Sequence, residues 1–356
     1  MPNLPQPNEL LRELVALPGP PGQEAAVREA VAAYVAGLGL PCETDARGNL
    51  LVGFGETVPD RPTVVVTAHL DEIALQVAEV NGDGTLRVAP LGGTHPWKWG
   101  EGPVEIMARD RLVPGVLGFG SIHTTSPASY AQQARDGRPL TWDAAQVLTG
   151  LSARELTNLQ VRAGTRVVIA RHKRALWPIG GGLIGSYFLD DRADLVAWLL
   201  ALAELKENAD AQLAPRVLFV ATSAEEVGGH GALWLLGRTR PEVCIALEIG
   251  PQTPDAPFDI DENPTVWVSD SYAPSLPSDL QTVADTAQTL GLSPHFHVVT
   301  RGGSDASCAA SQGLCARPIT LAFAAQNSHG FEVMHENAPA NLARLTAALV
   351  PTLLHL

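Results

Sequence analysis

The sequence predicts an α/β protein, a mixed, mostly parallel sheet flanked by helices, with a small β-barrel-like domain inserted into it. Consecutive apolar, β-rich runs at residues 63–67, 217–220 and 243–247 read as strands buried on both faces, as a parallel sheet requires. Amphipathic helical patterns recur among them, clearest over residues 193–205 and 276–290. Between residues 76 and 180 the texture changes to short alternating runs punctuated by glycine and proline, with no long helical period. The expected division is a first part of the α/β domain at 1–75, a β-rich insertion at 76–180 and a second part at 181–356.

Composition sets the outer limits. The 356 residues exceed one ordinary domain, and 46% hydrophobic with 17% charged residues is globular composition. A net charge of −14 argues against nucleic acid or an anionic membrane as a partner, since either needs a basic face. The N-terminal residues 1–14 carry no basic segment leading into an apolar run, and no stretch reaches about 18 apolar residues, so the expected location is the cytoplasm. Cys42, Cys244, Cys308 and Cys315 form no CxxC pair and read as reduced core or helix residues.

In chain order, residues 8–17 and 23–38 carry apolar residues at helical spacing, separated by the breaker run PGPPG. Residues 45–52 read as a turn into a strand, and 63–67 as the first fully buried strand. That strand runs into His69, Leu70 and Asp71. Alternation puts His69 and Asp71 on one side, where His69 can bind a metal and Asp71 can orient its ring. Inside the insertion, runs at 86–89, 104–107, 112–117 and 166–170 read as strands, and His95, Trp97, Trp99, His123 and His172 as packing or interface residues.

The α/β pattern resumes at 183–189 and delivers Asp190 and Asp191 to the start of the 193–205 helix. Two acids there either cap the helix and complement its dipole, or one of them bridges two metal ions while the other helps set the turn. The strand at 217–220 leads into a glycine-rich turn with two adjacent carboxylates, Glu225 and Glu226. Their side chains diverge, so one can hold a metal while the other faces a water as general base. The strand at 243–247 ends at Glu248. Strands follow at 265–269 and 295–299, with His295 and His297 sharing a face expected to meet solvent or a subunit. Residues 302–306 form a turn into a helix reaching Gln312. The last strand, 318–322, delivers Asn327, Ser328, His329 and Glu332 before a closing helix at 338–354.

The strand ends thus gather His69, Asp190, Glu225, Glu226, Glu248 and His329 at the edge where open α/β sheets place their chemistry. Two imidazoles with several carboxylates suit Zn²⁺, Co²⁺ or Mn²⁺. One bridging carboxylate, with a histidine and a terminal carboxylate per ion, would make a dinuclear centre about 3.5 Å across and leave one glutamate as base.

The segments VTAHLDE, FLDDR, AEEVGGHGA and GGSDA, with LPGPPGQE and DARGNL before them, resemble in order the glutamyl and deblocking aminopeptidase family of dinuclear metallopeptidases, which forms tetrahedral assemblies. The resemblance covers nearly the whole chain. It implies a zinc-aminopeptidase-like fold and removal of the N-terminal residue from peptides with a free N-terminus. It further implies two divalent ions, Zn²⁺ or else Co²⁺ or Mn²⁺, one on His69, Glu248 and a bridging Asp190, the other on Asp190, Glu226 and His329. Glu225 would be the general base and Asp71 the support of His69. A homo-oligomer is expected, a dodecamer by resemblance, with a dimer as the alternative.

The chain departs from the family pattern at three places. Glu248 stands where aspartate is usual. The final motif reads SHGFE in place of HS-x-x-E, with His335 six residues beyond His329 as a secondary ligand candidate. The residues after Val116 do not match the usual insertion. The rival readings are a dinuclear deacylase, dipeptidase or carboxypeptidase with the same ligand order, a glycosidase working through a carboxylate pair, and a scaffold that has lost its metals.

Overall fold

A computed structural model describes residues 4–208 and 213–355; residues 1–3 of the N-terminal stretch read above for a leader lie outside them. The chain opens with α1 (Pro7–Val15) and α2 (Ala25–Gly37), then the hairpin β1 (Cys42–Thr44) and β2 (Leu50–Val52), and the central strand β3 (Val64–His69). Six strands follow in a module of their own: β4 (Ala74–Val80), β5 (Leu86–Leu91), β6 (Gly102–Met107), β7 (Leu112–Gly118), β8 (Gln146–Leu148) and β9 (Arg166–Ile169). Short helices α3 (Pro96–Trp99), α4 (Tyr130–Arg135) and α5 (Ala153–Asn158) occupy its loops. The chain returns through β10 (Trp177–Gly180), β11 (Leu183–Tyr187), α6 (Leu189–Glu207), β12 (Val217–Thr222), α7 (His230–Thr239) and β13 (Val243–Pro251). It closes with β14 (Pro264–Ser269), α8 (Pro277–Thr289), β15 (His295–Val298), α9 (Asp305–Ser311), β16 (Arg317–Gln326), β17 (Phe331–His335) and α10 (Ala338–Leu353).

Eleven strands make one mixed sheet in the order β1-β2-β12-β3-β13-β16-β17-β11-β10, with β14 on β16 and β15 on β14. The four central strands β12, β3, β13 and β16 are mutually parallel, while β2, β14 and β17 attach to them antiparallel. The centre is parallel because both its faces are covered. Val64, Val66, Phe219 and Ile245 point toward α1, α2, α6 and α10, and Val65, Leu218, Val220 and Cys244 toward α7 and α9. Trp198 of α6 lies fully buried in the larger layer and donates its indole N–H to the Val66 carbonyl at 3.2 Å. Truncating it to alanine would cost about 3–5 kcal/mol.

The inserted strands close into a barrel in the order β4-β5-β8-β7-β6-β9, filled by Leu75, Val77, Leu86, Ile106, Val147 and Val167. Its return boundary is earlier than expected. Trp177–Gly180 read as inserted texture, yet β10 pairs with β11 in the large sheet. Residues 45–52 form the expected turn into a strand: Asp45 Oδ1 accepts the N–H groups of Arg47, Gly48 and Asn49, which makes residues 45–49 the turn, and β2 starts at Leu50. The shared face of His295 and His297 is also not open. Phe258 stacks on His295 and meets His297 edge-on, so Phe296 and Val298 are the exposed pair of β15. Cys42 is exposed on the edge strand, whereas the other three cysteines are buried and all four are free. Among the described residues, no helix is long and apolar enough to cross a membrane.

Candidate active site

The parallel strands deliver their polar residues to one rim of the sheet, and a cleft of about 560 Å³ opens there. His69 is the last residue of β3, Glu248 lies in the outer half of β13, and Asp190 and Asp191 sit where β11 passes into α6. Both aspartates leave helical dihedrals, and the peptide joining them is cis. Ala224, at φ +54°, turns the chain so that Glu225 and Glu226 face the cleft. His329 takes φ +62° in the connection between β16 and β17. A non-glycine residue held there is the kind of backbone strain that functional sites store.

Two donor groups result. His69, Asp190, Asp191 and Glu248 form one, Asp190, Glu226 and His329 the other, with donor atoms in each within 4.8 Å of one another. Asp190 belongs to both. Its Oδ1 lies 3.0 Å from His69 Nε2 and its Oδ2 lies 3.6 Å from His329 Nε2, which is also 3.6 Å from Glu226 Oε2. Tetrahedral ligands at 2.0–2.1 Å from an ion stand about 3.4 Å apart, so these separations suit a common divalent cation.

Each histidine is held from behind. His69 Nδ1 is 3.1 Å from the Asp71 main-chain carbonyl and 3.6 Å from its carboxylate. The Asp71 carboxylate has a further task, accepting the N–H groups of Glu225 and Glu226 at 2.9 and 3.1 Å. His329 Nδ1 lies 2.9 Å from the Gly93 carbonyl in the loop after β5. A ring donating from Nδ1 leaves its Nε2 lone pair toward the carboxylates.

Electrostatics ask for a cation. Burial, reinforced by neighbouring carboxylates, pushes Glu225, Glu226 and Glu248 well above the usual carboxylate range. Burial likewise raises Asp191, with the charge of Asp194 adding to it. Burial opposes charge on His69 too, yet the Asp191 charge and the Asp190 hydrogen bond outweigh it and hold the ring well above its ordinary value. So many dry acids cannot all ionise side by side without a counter-charge, and a divalent ion supplies one. The residues fit a metal.

The sequence matches the M42 glutamyl aminopeptidase family over residues 48–345. The chain belongs to this family. It is 29% identical to a lysyl aminopeptidase of Pyrococcus furiosus over 68% of this chain and 66% of that one, just under two thirds of its length. It is 25% identical to a glutamyl aminopeptidase of Lactococcus lactis over 84% and 82% of the two chains. Among solved structures, a TET1 peptidase of Pyrococcus horikoshii, described as assembling into a tetrahedron or a large octahedral shell, superposes with a TM-score of 0.82 at 25% identity, covering 97% of this chain and 99% of that one. The chain is therefore a peptidase of the hydrolase class.

In this M42 chain, the five residues expected as ligands, His69, Asp190, Glu226, Glu248 and His329, all lie in the two donor groups, with Glu225 beside them in the cleft. His335 belongs to neither; its ring packs at Gly182 and accepts the Asn337 N–H. Three contributions escape sequence reasoning. Glu332 is buried and accepts the His329 N–H through Oε1 at 2.9 Å and the Asp190 N–H through Oε2 at 3.0 Å, tying the two ends of the site together. Its signal was alternation, since Glu332 is a buried acid in a short strand between apolar neighbours. Asp191 accepts the His69 main-chain N–H at 2.5 Å. His95, expected to serve packing or an interface, lines the cleft with Lys98, so the barrel forms part of the wall.

Proposed function

We propose that this M42 peptidase removes the N-terminal residue from peptides with a free α-amine, using two divalent ions that share Asp190, with Glu225 as general base. The observation that carries the reading is the position of Asp190, one carboxylate oxygen toward His69 and the other toward His329. His69, Glu248 and Asp190 would hold one ion, and Asp190, Glu226 and His329 the other. Imidazole and carboxylate donors favour Zn²⁺, with Co²⁺ or Mn²⁺ as replacements. When bound, such ions polarise the scissile carbonyl and lower the pKa of the attacking water.

The chain's own residues do the rest. Glu225, whose proton affinity is raised by burial, takes the proton of the attacking water and passes it to the leaving amine. Asp71 fixes the backbone of that glutamate and of Glu226 while its carbonyl orients His69. The surplus of carboxylates around the ions gives a protonated substrate α-amine its counter-charge. We further infer a homo-oligomer, a closed shell in the manner of the tetrahedron formed by the TET1 peptidase of Pyrococcus horikoshii and so a dodecamer by the resemblance above, with a dimer as the alternative.

A panel of aminoacyl-p-nitroanilides, each with a free and an acetylated amine, tests this before and after chelation and with Zn²⁺, Co²⁺ or Mn²⁺ restored. The proposal expects cleavage of free amines only, abolished by chelation and restored by metal. Turnover of acetylated substrates alone would replace it with a deacylase.

A further inference from the structure

The chain passes between the two domains twice, from β3 to β4 and from β9 to β10, and a buried ion cluster sits between these crossings. Glu72, in the first crossing, is fully buried and meets two guanidiniums that are as deeply buried. Arg192, at the start of α6, reaches its Oε2 at 2.6 Å. Arg174, in the second crossing, reaches its Oε1 at 2.8 Å. Arg174 also donates to the Ile169 carbonyl at the end of β9 at 2.8 Å. Neither the metal site nor the proposed chemistry uses these three side chains.

The second arm of Arg192 gives the cluster a direction. Its Nη1 donates to the Leu70 carbonyl at 2.8 Å and to the Asp71 carbonyl at 3.3 Å. The Asp71 carbonyl is the same atom that faces His69 Nδ1, and the Asp71 carboxylate holds the N–H groups of Glu225 and Glu226. The turn 70–72 therefore supports three residues of the site. Its other main-chain anchors are Leu70 N–H to the Thr222 carbonyl at 2.7 Å and Glu72 N–H to the Gly19 carbonyl at 3.0 Å. Arg192 grips the side of the turn that carries the carbonyls, and only a planar fork reaches two carbonyls and a carboxylate at once.

We infer that Arg192 and Glu72 are positioning residues for the metal ligands: the buried Arg174–Glu72–Arg192 cluster fixes the turn 70–72 and, through Asp71, the aim of His69, Glu225 and Glu226. The cluster also makes that aim depend on the docking of the barrel, because Arg174 belongs to the segment by which the chain leaves it. This inference rests on the metal-centre reading above.

The test is a Zn²⁺ titration of metal-free protein in competition with a chromophoric chelator, on wild type, Arg192→Lys, Glu72→Gln and the double variant Glu72→Gln/Arg174→Met. The double variant removes the excess positive charge that Glu72→Gln leaves buried, and so keeps the test open where the single variant fails to fold. The titration reads folded protein only, and a purely structural role would lower the melting temperature of the metal-free form without moving the affinity of what remains folded. The expected result is affinity weakened by about 10–100-fold in every variant that folds. Wild-type affinity in a folded variant overturns the positioning role, and failure of all three to fold assigns the cluster to the fold and overturns it equally. Wild type that binds no zinc would instead refute the metal-centre reading.

Discussion

Gly93 carries the sharpest single-residue prediction. It sits in the loop between β5 and α3 of the barrel, and its carbonyl holds His329 Nδ1 across 236 positions of sequence. A Cβ at Gly93 would fall 2.8 Å from both Cε1 and Nδ1 of that ring. That is about 0.6 Å closer than ordinary carbon contact allows, so the imidazole must swing away. Gly93 does not occupy the left-handed region, so alanine fits the local backbone and the clash falls on the ring alone. The His329 side chain is 32% exposed and can move without opening the core. Gly93→Ala is therefore expected to leave the melting temperature of the metal-free protein nearly unchanged. Displacing a ligand by a fraction of an ångström should nonetheless lower metal affinity by about 10–100-fold. The kcat/KM for a free-amine aminoacyl-p-nitroanilide should fall by up to about 10²-fold. The assay pairs that kinetic measurement with metal content after dialysis. A variant within twofold of wild type in kcat/KM and with full metal content would refute the assignment of His329.

Glu225→Gln should lower kcat by about 10²–10⁴-fold and keep its metal, checked by kinetics with elemental analysis; loss of metal together with activity would make Glu225 a ligand instead. Glu332→Gln supplies one acceptor where two N–H groups need one each, so it should cost about 1–3 kcal/mol in denaturant unfolding and reduce metal binding. Metal-free protein should lose stability as pH rises. Burial lifts Asp305 to about 6 and Asp194 to about 7, so between the unfolded aspartate value near 4 and these values the native state holds more protons than the unfolded chain. The share contributed by these two groups is complete below pH 4 and gone above about 7. Calorimetry in chelator across that range reads it directly, and a melting temperature that rises over the window contradicts the buried acid cluster.

What could be read from the sequence follows from local chemistry. Fully apolar runs such as the Val64–Val66 segment announce a sheet covered on both faces, and polar residues closing such runs mark the rim where His69, Asp190, Glu226 and Glu248 meet. What could not be read depends on partners distant in sequence. Nothing near Gly93 says that its carbonyl meets a histidine 236 residues on, and nothing near Glu72 says that two arginines, one in the second domain crossing and one at the start of α6, will bury it. Trp177–Gly180 was misplaced because an edge strand with proline and glycine has the same local texture as the barrel hairpins, and only its pairing with β11 decides its sheet. The His295 and His297 face looked open because alternation marks a face without saying what covers it, here Phe258 from a loop.

The most direct measurement is anomalous diffraction from crystals of the Zn²⁺-loaded protein at the zinc edge. The account predicts two peaks about 3.5 Å apart, one beside His69 and Glu248, the other beside Glu226 and His329, with an Asp190 oxygen on each. A single peak, or two peaks that do not share Asp190, would contradict it.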